Sequence, residues 1–419
     1  MNMLEKDQRY IWHPYTQHKT VKELLPIARA KGLYLFDEHG NKYMDVISSW
    51  WTNIHGHSHP FIAESIYQQA LTLEHVIFAG CTHQPAVSLA EQLMPLLPGN
   101  MQKLFYSDNG STAIEVGLKM AIQYWKNKGE LKRNKILALH QSYHGDTFGA
   151  MSVSERGVFT WAFENHLFDV IFLDTPKENE TWNVAGIPWD EVACCIYEPL
   201  VQGAGGMKMY DALHLDDLIA SCKKNEILCI ADEVMTGFGR TGKLFASDHV
   251  PSKPDIICLS KGLTGGSLPL AITACSEKIY NAFFSQDLHL TFFHGHSFTA
   301  NPLGCAAALA SLALLQKEEC LQSIQDITAG NRKFVEVLKE KKNIINPRST
   351  GTILAFELHS NDNMYLSKVR EETMKLALSN GIFLRPLGNT VYIMPPYCIT
   401  AEECNTVYSF LEKIAVKDL

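Results

Sequence analysis

Two short apolar runs constrain this chain more than any other feature. They are Ile227-Leu228-Cys229-Ile230-Ala231 and Ile256-Ile257-Cys258-Leu259, and each reads as a buried strand. Each run ends on charge: Asp232-Glu233 after the first, Ser260-Lys261-Gly262 after the second. In an open α/β sheet the carboxyl ends of the strands are where ligands bind. An acid and an amine delivered there by two strands either form a buried ion pair or grip one ligand from two sides.

The surrounding pattern alternates. Further strands are expected at 103–106, 136–139, 170–173, 192–197 and 268–275. Helical spacing covers 61–78, 86–97, 113–124 and 213–224, and another helix begins near Pro302. Strands separated by helices predict βαβ units and an α/β fold: a mostly parallel central sheet with helices on both faces. From residue 321 the character changes to a smaller α+β lobe. Helices at 321–340 and 364–379 enclose a strand at 352–358, and Thr400 with Glu403 forms a capping box for the last helix. The first sixty residues hold a hairpin at 32–45 around a Gly turn. The chain is too long for one core, since single cores stop growing near ~300 residues. Its expected divisions are 1–60, contributing to the small domain and the pocket, 61–318 as the large domain and 319–419 as the small one.

Composition excludes several classes. With 46% hydrophobic and 20% charged residues the chain is globular rather than disordered. A net charge of −8 gives no footprint for nucleic acid. No apolar run reaches the ~18 residues of a membrane span, and the polar start lacks the apolar core of a signal peptide. A cytoplasmic protein is expected. Eleven Cys, an odd number set mostly in apolar runs, fit reduced thiols. Cys194-Cys195 suggests an alternating strand with one thiol buried, in preference to a redox pair.

Other stretches carry chemistry. Ser107-Asp108-Asn109-Gly110-Ser111-Thr112 links a strand to a helix, so Gly110 and Ser111 offer an anion site, unless Asn109 or Ser111 is only a cap. Tyr143 and His144 leave a strand before Gly145 and can stack on a planar ring. Trp12-His13-Pro14-Tyr15 and Trp50-Trp51 lie in expected loops, where lining a pocket and packing are equally open. His55, His57 and His59 alternate, but without a carboxylate or Cys at ligand spacing, and no metal is expected. Among organic cofactors, pyridoxal 5'-phosphate (PLP) asks for the opening pair, a Lys amine for its aldehyde and a carboxylate for its pyridinium nitrogen.

Together these motifs resemble the class III, fold type I, PLP-dependent aminotransferases. The likeness rests on Ser107-Asp108-Asn109-Gly110-Ser111, Tyr143-His144-Gly145, Asp232-Glu233-Val234-Met235-Thr236-Gly237-Phe238-Gly239-Arg240-Thr241-Gly242 and Asp255 to Gly262, in that order along nearly the whole chain. It implies Lys261, Asp232 and Tyr143 as catalytic residues. Gly110, Ser111, His144, Val234, His296 and Ser297 would help to hold PLP. Trp12 to Gln17, Trp50-Trp51 and Arg385-Pro386 with Tyr392 to Tyr397 resemble the branch that aminates 8-amino-7-oxononanoate in biotin synthesis. That branch implies S-adenosylmethionine as amino donor, and lysine remains open. It also implies Tyr15, Trp50, Trp51, Gly295, Arg385 and Tyr392 around the substrates, with Arg385 clamping a carboxylate, and a homodimer with interfacial active sites. The alternatives are another ω-aminotransferase, for ornithine, 4-aminobutyrate or a diamine, or an aminomutase. In one place the chain departs from the family: Gly295 is followed by His296-Ser297 where Pro-Thr is usual.

Overall fold

The computed structural model describes residues 1–20, 24–177, 179–359 and 368–415. Seven strands form the large sheet: β1 (Met101–Ser107), β2 (Lys135–Leu139), β3 (Ile171–Leu173), β4 (Val192–Tyr197), β5 (Leu228–Asp232), β6 (Ile256–Leu259) and β7 (Ala271–Ser276). Their spatial order is β1-β7-β6-β5-β4-β2-β3. Only β7 runs against its neighbours; the other pairings are parallel.

Every residue of β4, β5 and β6 is buried, which is why these strands read as unbroken apolar runs. Successive residues feed two different cores. Leu137, Cys195, Cys229 and Ala231 pack on one face, while Ile136, Cys194, Leu228 and Ile230 pack on the other. This corrects the expectation for Cys194-Cys195. Both thiols are fully buried, because helices cover a parallel strand on both sides.

Helix α1 (Gly110–Asn127) lies on one face through Ala113, Val116, Met120 and Tyr124, at the spacing the sequence shows. Helix α2 (Pro302–Leu315) is apolar nearly all round and correspondingly buried. The helix expected at 61–78 ends at Thr72, where Leu73 turns extended. Phe78 then packs its ring against His83 and Tyr106 instead of continuing the helical face.

The two ends of the chain meet. Strands Ile27–Lys31, Tyr34–Asp37 and Lys42–Asp45 form an antiparallel meander, and Ile382–Phe383 adds to it in parallel beside Lys42–Asp45. A second small sheet joins Ile344–Thr350, Ile353–Leu358 and Thr390–Ile393, packed by helix α3 (Glu318–Lys339), against which helix α4 (Ala401–Ala415) lies. Ile344–Thr350 escaped sequence reading, because Asn346-Pro347 looks like a turn. It is a bulge, with a register shift between Ile345 and Arg348. Between these strands runs a helix at Lys368–Ser379; positions 364–367, where it was expected to begin, lie outside the described residues. No helix among the described residues is long and apolar enough to cross a membrane.

Candidate active site

Five parallel strands deliver side chains to one edge of the large sheet. β1 leads to Gly110 and Ser111, β2 to Tyr143 and His144, β4 to Glu198, β5 to Asp232 and β6 to Lys261. The register that sets Asp232 beside Cys258 brings the carboxyl ends of β5 and β6 together. A cavity of about 390 Å³ opens there, lined by Gly110, Ser111, Tyr143, His144, Glu198, Asp232, Val234 and Lys261, with Tyr15, Trp50 and Trp51 on its aromatic side.

The opening pair does not close on itself. Among the described residues no ion pair joins Lys261 to an acid. The Asp232 carboxylate is 5% exposed; its Oδ2 lies 2.7 Å from His144 Nδ1, and its Oδ1 accepts the Val234 N–H at 3.0 Å. The other ring nitrogen of His144, Nε2, is buried with no hydrogen-bond partner among the described residues. Lys261 has φ +47°, a left-handed conformation that costs about 1–3 kcal/mol in a residue with a side chain. Its Nζ stands 4.3 Å from the centre of the Trp51 ring. Burial pushes the ammonium down to about 8, against the attraction of Asp232 and Glu198.

At the start of α1, Asn109 is the cap: its side chain accepts the Thr112 N–H at 3.1 Å, while Thr112 Oγ1 accepts the Asn109 N–H at 3.1 Å. The cap leaves Gly110 and Ser111 on the cavity wall. A Cβ at Gly110 would meet Val234 Cγ1 at 2.7 Å, and one at Gly145 would meet Ser111 Oγ at 2.1 Å. Both glycines keep the slot open. Tyr143 and Tyr15 hydroxyls are 3.1 Å apart, and Tyr15 also donates to Asp146.

Other expected residues stand further out. The Arg385 guanidinium lies 5.2 Å from the centre of the Trp50 ring. Tyr392 is buried behind the cavity and accepts the Trp51 indole N–H at 3.0 Å. Gly295, His296 and Ser297 do not line the cavity of their own chain. Gly295 and Ser297 are exposed.

Two residues were missed. Glu198 is 5% exposed and accepts the N–H groups of Tyr143 at 3.0 Å and Gly203 at 2.9 Å. Burial pushes its carboxyl up to about 7, with the neighbouring Asp232 adding to the rise. The same strand-end argument that found Asp232 could have found it. Arg240 is 1% exposed and donates to the carbonyls of Pro395 at 2.8 Å, Trp51 at 3.3 Å and Met394 at 3.4 Å. Its place in a Gly-rich stretch gave no sign of that burial.

An acid, an amine and an aromatic slot beside a helix N-terminus define a site for an anionic, planar carbonyl cofactor. The sequence profile described as "Aminotransferase class-III" matches residues 15–415. The chain belongs to the class III aminotransferases, and its mixed seven-stranded sheet is their fold type I architecture. Among named relatives, an adenosylmethionine-8-amino-7-oxononanoate aminotransferase from Synechococcus elongatus is 48% identical over 96% of this chain and 97% of its own. One of the same name from Staphylococcus aureus is 38% identical over 98% and 96%. The crystal structure of the Methanocaldococcus jannaschii protein of that name superposes with a TM-score of 0.93 at 38% identity, covering 100% of this chain and 99% of that one. A PLP-bound amine transaminase from an uncultivated Pseudomonas species gives 0.89 at 30% identity, covering 96% and 97%.

Proposed function

We propose that this protein uses PLP to transfer an amino group to the ketone of 8-amino-7-oxononanoate, giving 7,8-diaminononanoate for biotin synthesis. The observation that carries the reading is Arg385 placed over Trp50, one wall of a cavity that also contains the Lys261 amine. That layout suits an aliphatic chain with a carboxylate at one end and the reacting carbon near the other. Relatives with that activity in their names, alike over nearly full length, support it.

The residues present fit PLP. A buried carboxylate faces a cavity with an unpartnered imidazole nitrogen at His144, and an 18-residue helix begins on its wall. Gly110 and Ser111 at that N-terminus would take the phosphate, Asp232 the pyridinium nitrogen, and Val234 and Tyr143 the two ring faces. Bound there, PLP supplies the electron sink that labilises bonds at the carbon bearing the amino group. The chain supplies position and protons. Lys261 Nζ, held down to about 8, is available as a neutral amine close to neutral pH, both to hold the aldehyde and to take the proton from the donor carbon. His144, hydrogen-bonded to Asp232, holds that carboxylate in place. Tyr15, Trp50 and Trp51 exclude water from the aliphatic part of the substrate.

The proposed donor is S-adenosylmethionine, supported by the relatives' printed names. We read the active unit as a homodimer in which Gly295, His296 and Ser297 reach the partner's cofactor phosphate. Support comes from the large apolar side chains exposed beside that turn, Phe293 at 76% and Phe298 at 59%. The unpaired state of all eleven thiols fits a cytoplasmic setting. The test is a product assay by mass spectrometry. Wild type with PLP and S-adenosylmethionine should convert 8-amino-7-oxononanoate and leave ornithine and 4-aminobutyrate unused. Arg385→Ala should raise KM for the acceptor roughly 10- to 100-fold with kcat little changed, the value of a charge-assisted carboxylate contact. An unaltered KM would remove Arg385 from the substrate site.

A further inference from the structure

The three alternating histidines divide. His57 Nε2 lies 2.8 Å from Asp45 Oδ2, and His59 Nδ1 is buried with no hydrogen-bond partner among the described residues. His55 points elsewhere: its Nε2 is 3.1 Å from Ser311 Oγ, and the Ser311 hydroxyl donates to the Gly262 carbonyl at 3.2 Å. Both side chains are buried, at 9% and 1% exposure. Because the Ser311 proton is committed to Gly262, His55 Nε2 must be the donor to Ser311, which fixes the tautomer. Burial holds His55 down to about 4, so the ring is neutral throughout the range in which such an enzyme works.

The carbonyl at the end of this relay belongs to the residue after Lys261. It also accepts the Gly265 N–H at 3.0 Å, which closes the short turn Lys261–Thr264. The turn has no slack. A Cβ at Gly265 would sit 3.2 Å from His55 Cδ2 and 3.4 Å from Ser311 Oγ, and one at Gly266 would sit 2.9 Å from the Asn53 side chain. The relay thus ties together the N-terminal segment, helix α2 and the peptide that carries a left-handed lysine.

We propose that His55 and Ser311 are positioning residues: by fixing the Gly262 carbonyl they hold Lys261 in the backbone conformation from which its Nζ reaches the reacting carbon. The proposal rests on the proton-carrying role given to Lys261 above. Lost alignment of a reacting group costs up to roughly 100-fold in rate, and it does so in kcat rather than in substrate binding.

The test compares His55→Leu, Ser311→Ala and the conservative His55→Gln, with His39→Ala, a histidine whose side chain is 74% exposed, as a control outside the relay. In cofactor-free protein, labelling of Lys261 by trinitrobenzenesulfonate is followed against pH by peptide mass spectrometry. His55→Leu and Ser311→Ala should move the midpoint up by about one pH unit, as the amine leaves its buried position. In PLP-loaded enzyme they should lower kcat roughly 10- to 100-fold, with KM within about twofold. The isotope effect from deuterium on the donor α-carbon should increase. His55→Gln, which retains an N–H, should recover most of the loss, and His39→Ala should behave as wild type. The proposal is overturned if the labelling midpoint stays put in His55→Leu and Ser311→Ala, or if His55→Gln is as impaired as His55→Leu. A wild type inactive on 8-amino-7-oxononanoate would remove the substrate reading alone, since the labelling arm involves no substrate.

Discussion

At Lys261, burial outweighs the pull of two nearby carboxylates, and the net effect is an amine held down to about 8. An ion pair with Asp232 would have worked the other way, locking the proton on. Instead Asp232 is taken by His144 at 2.7 Å, which leaves the amine unpaired with any acid among the described residues. Glu198 shows the same desolvation acting on an acid, pushed from 4.5 up to about 7. A carboxyl with a raised folded-state pKa contributes stability that is complete below its unfolded value and is lost as pH rises through about 7. In cofactor-free protein, Glu198→Gln should therefore gain Tm relative to wild type as pH goes from about 5 to about 8. Parallel melting curves across that range would refute the assignment. The glutamine has one acceptor oxygen and keeps only one of the Tyr143 and Gly203 N–H bonds; that loss is a fixed offset in Tm, so the readout is the change of the Tm difference with pH.

At the scale of elements, the sequence was most readable where one strand or helix determines the answer. The runs at β5 and β6 needed only apolar continuity and a charged end, and α1 needed only its cap and spacing. Legibility failed where a side chain's partner lies far along the chain. Tyr392 looks like a pocket aromatic, yet it serves Trp51 from 341 positions away. The Trp50-Trp51 stretch, expected as loop, is a kinked turn with φ +58° at Ser49 and +71° at Trp51, a shape no local rule specifies. Arg240 holds that kink from behind by donating to the Trp51, Met394 and Pro395 carbonyls. Arg240→Met should strand those carbonyls and cost about 3 kcal/mol, lowering Tm by roughly 5 °C. A Tm unchanged within a degree or so would mean that packing alone shapes the turn.

For the whole molecule, the site as one chain builds it has a floor and an aromatic side, and the turn at Gly295 to Ser297 does not line it. The homodimer reading gives that turn a purpose and gives Phe293 and Phe298 a partner. Sedimentation should show a species of twice the 47.0 kDa chain mass. Ser297→Ala should weaken PLP binding roughly 10-fold, about the value of one hydrogen bond to a charged group, and a monomer with unaltered PLP affinity would refute the arrangement. The proposed function has Lys261 serving the ketone of one particular acceptor. The most direct measurement follows the cofactor's visible absorbance in a single turnover: enzyme first converted by the donor to its amino form is mixed with 8-amino-7-oxononanoate. The yellow PLP form should return in wild type, and fail to return in Lys261→Ala loaded directly with pyridoxamine phosphate, since the donor cannot convert that variant. Wild-type enzyme that stays colourless with this ketone and regains its colour with another ω-amino acid's oxo form would contradict the account.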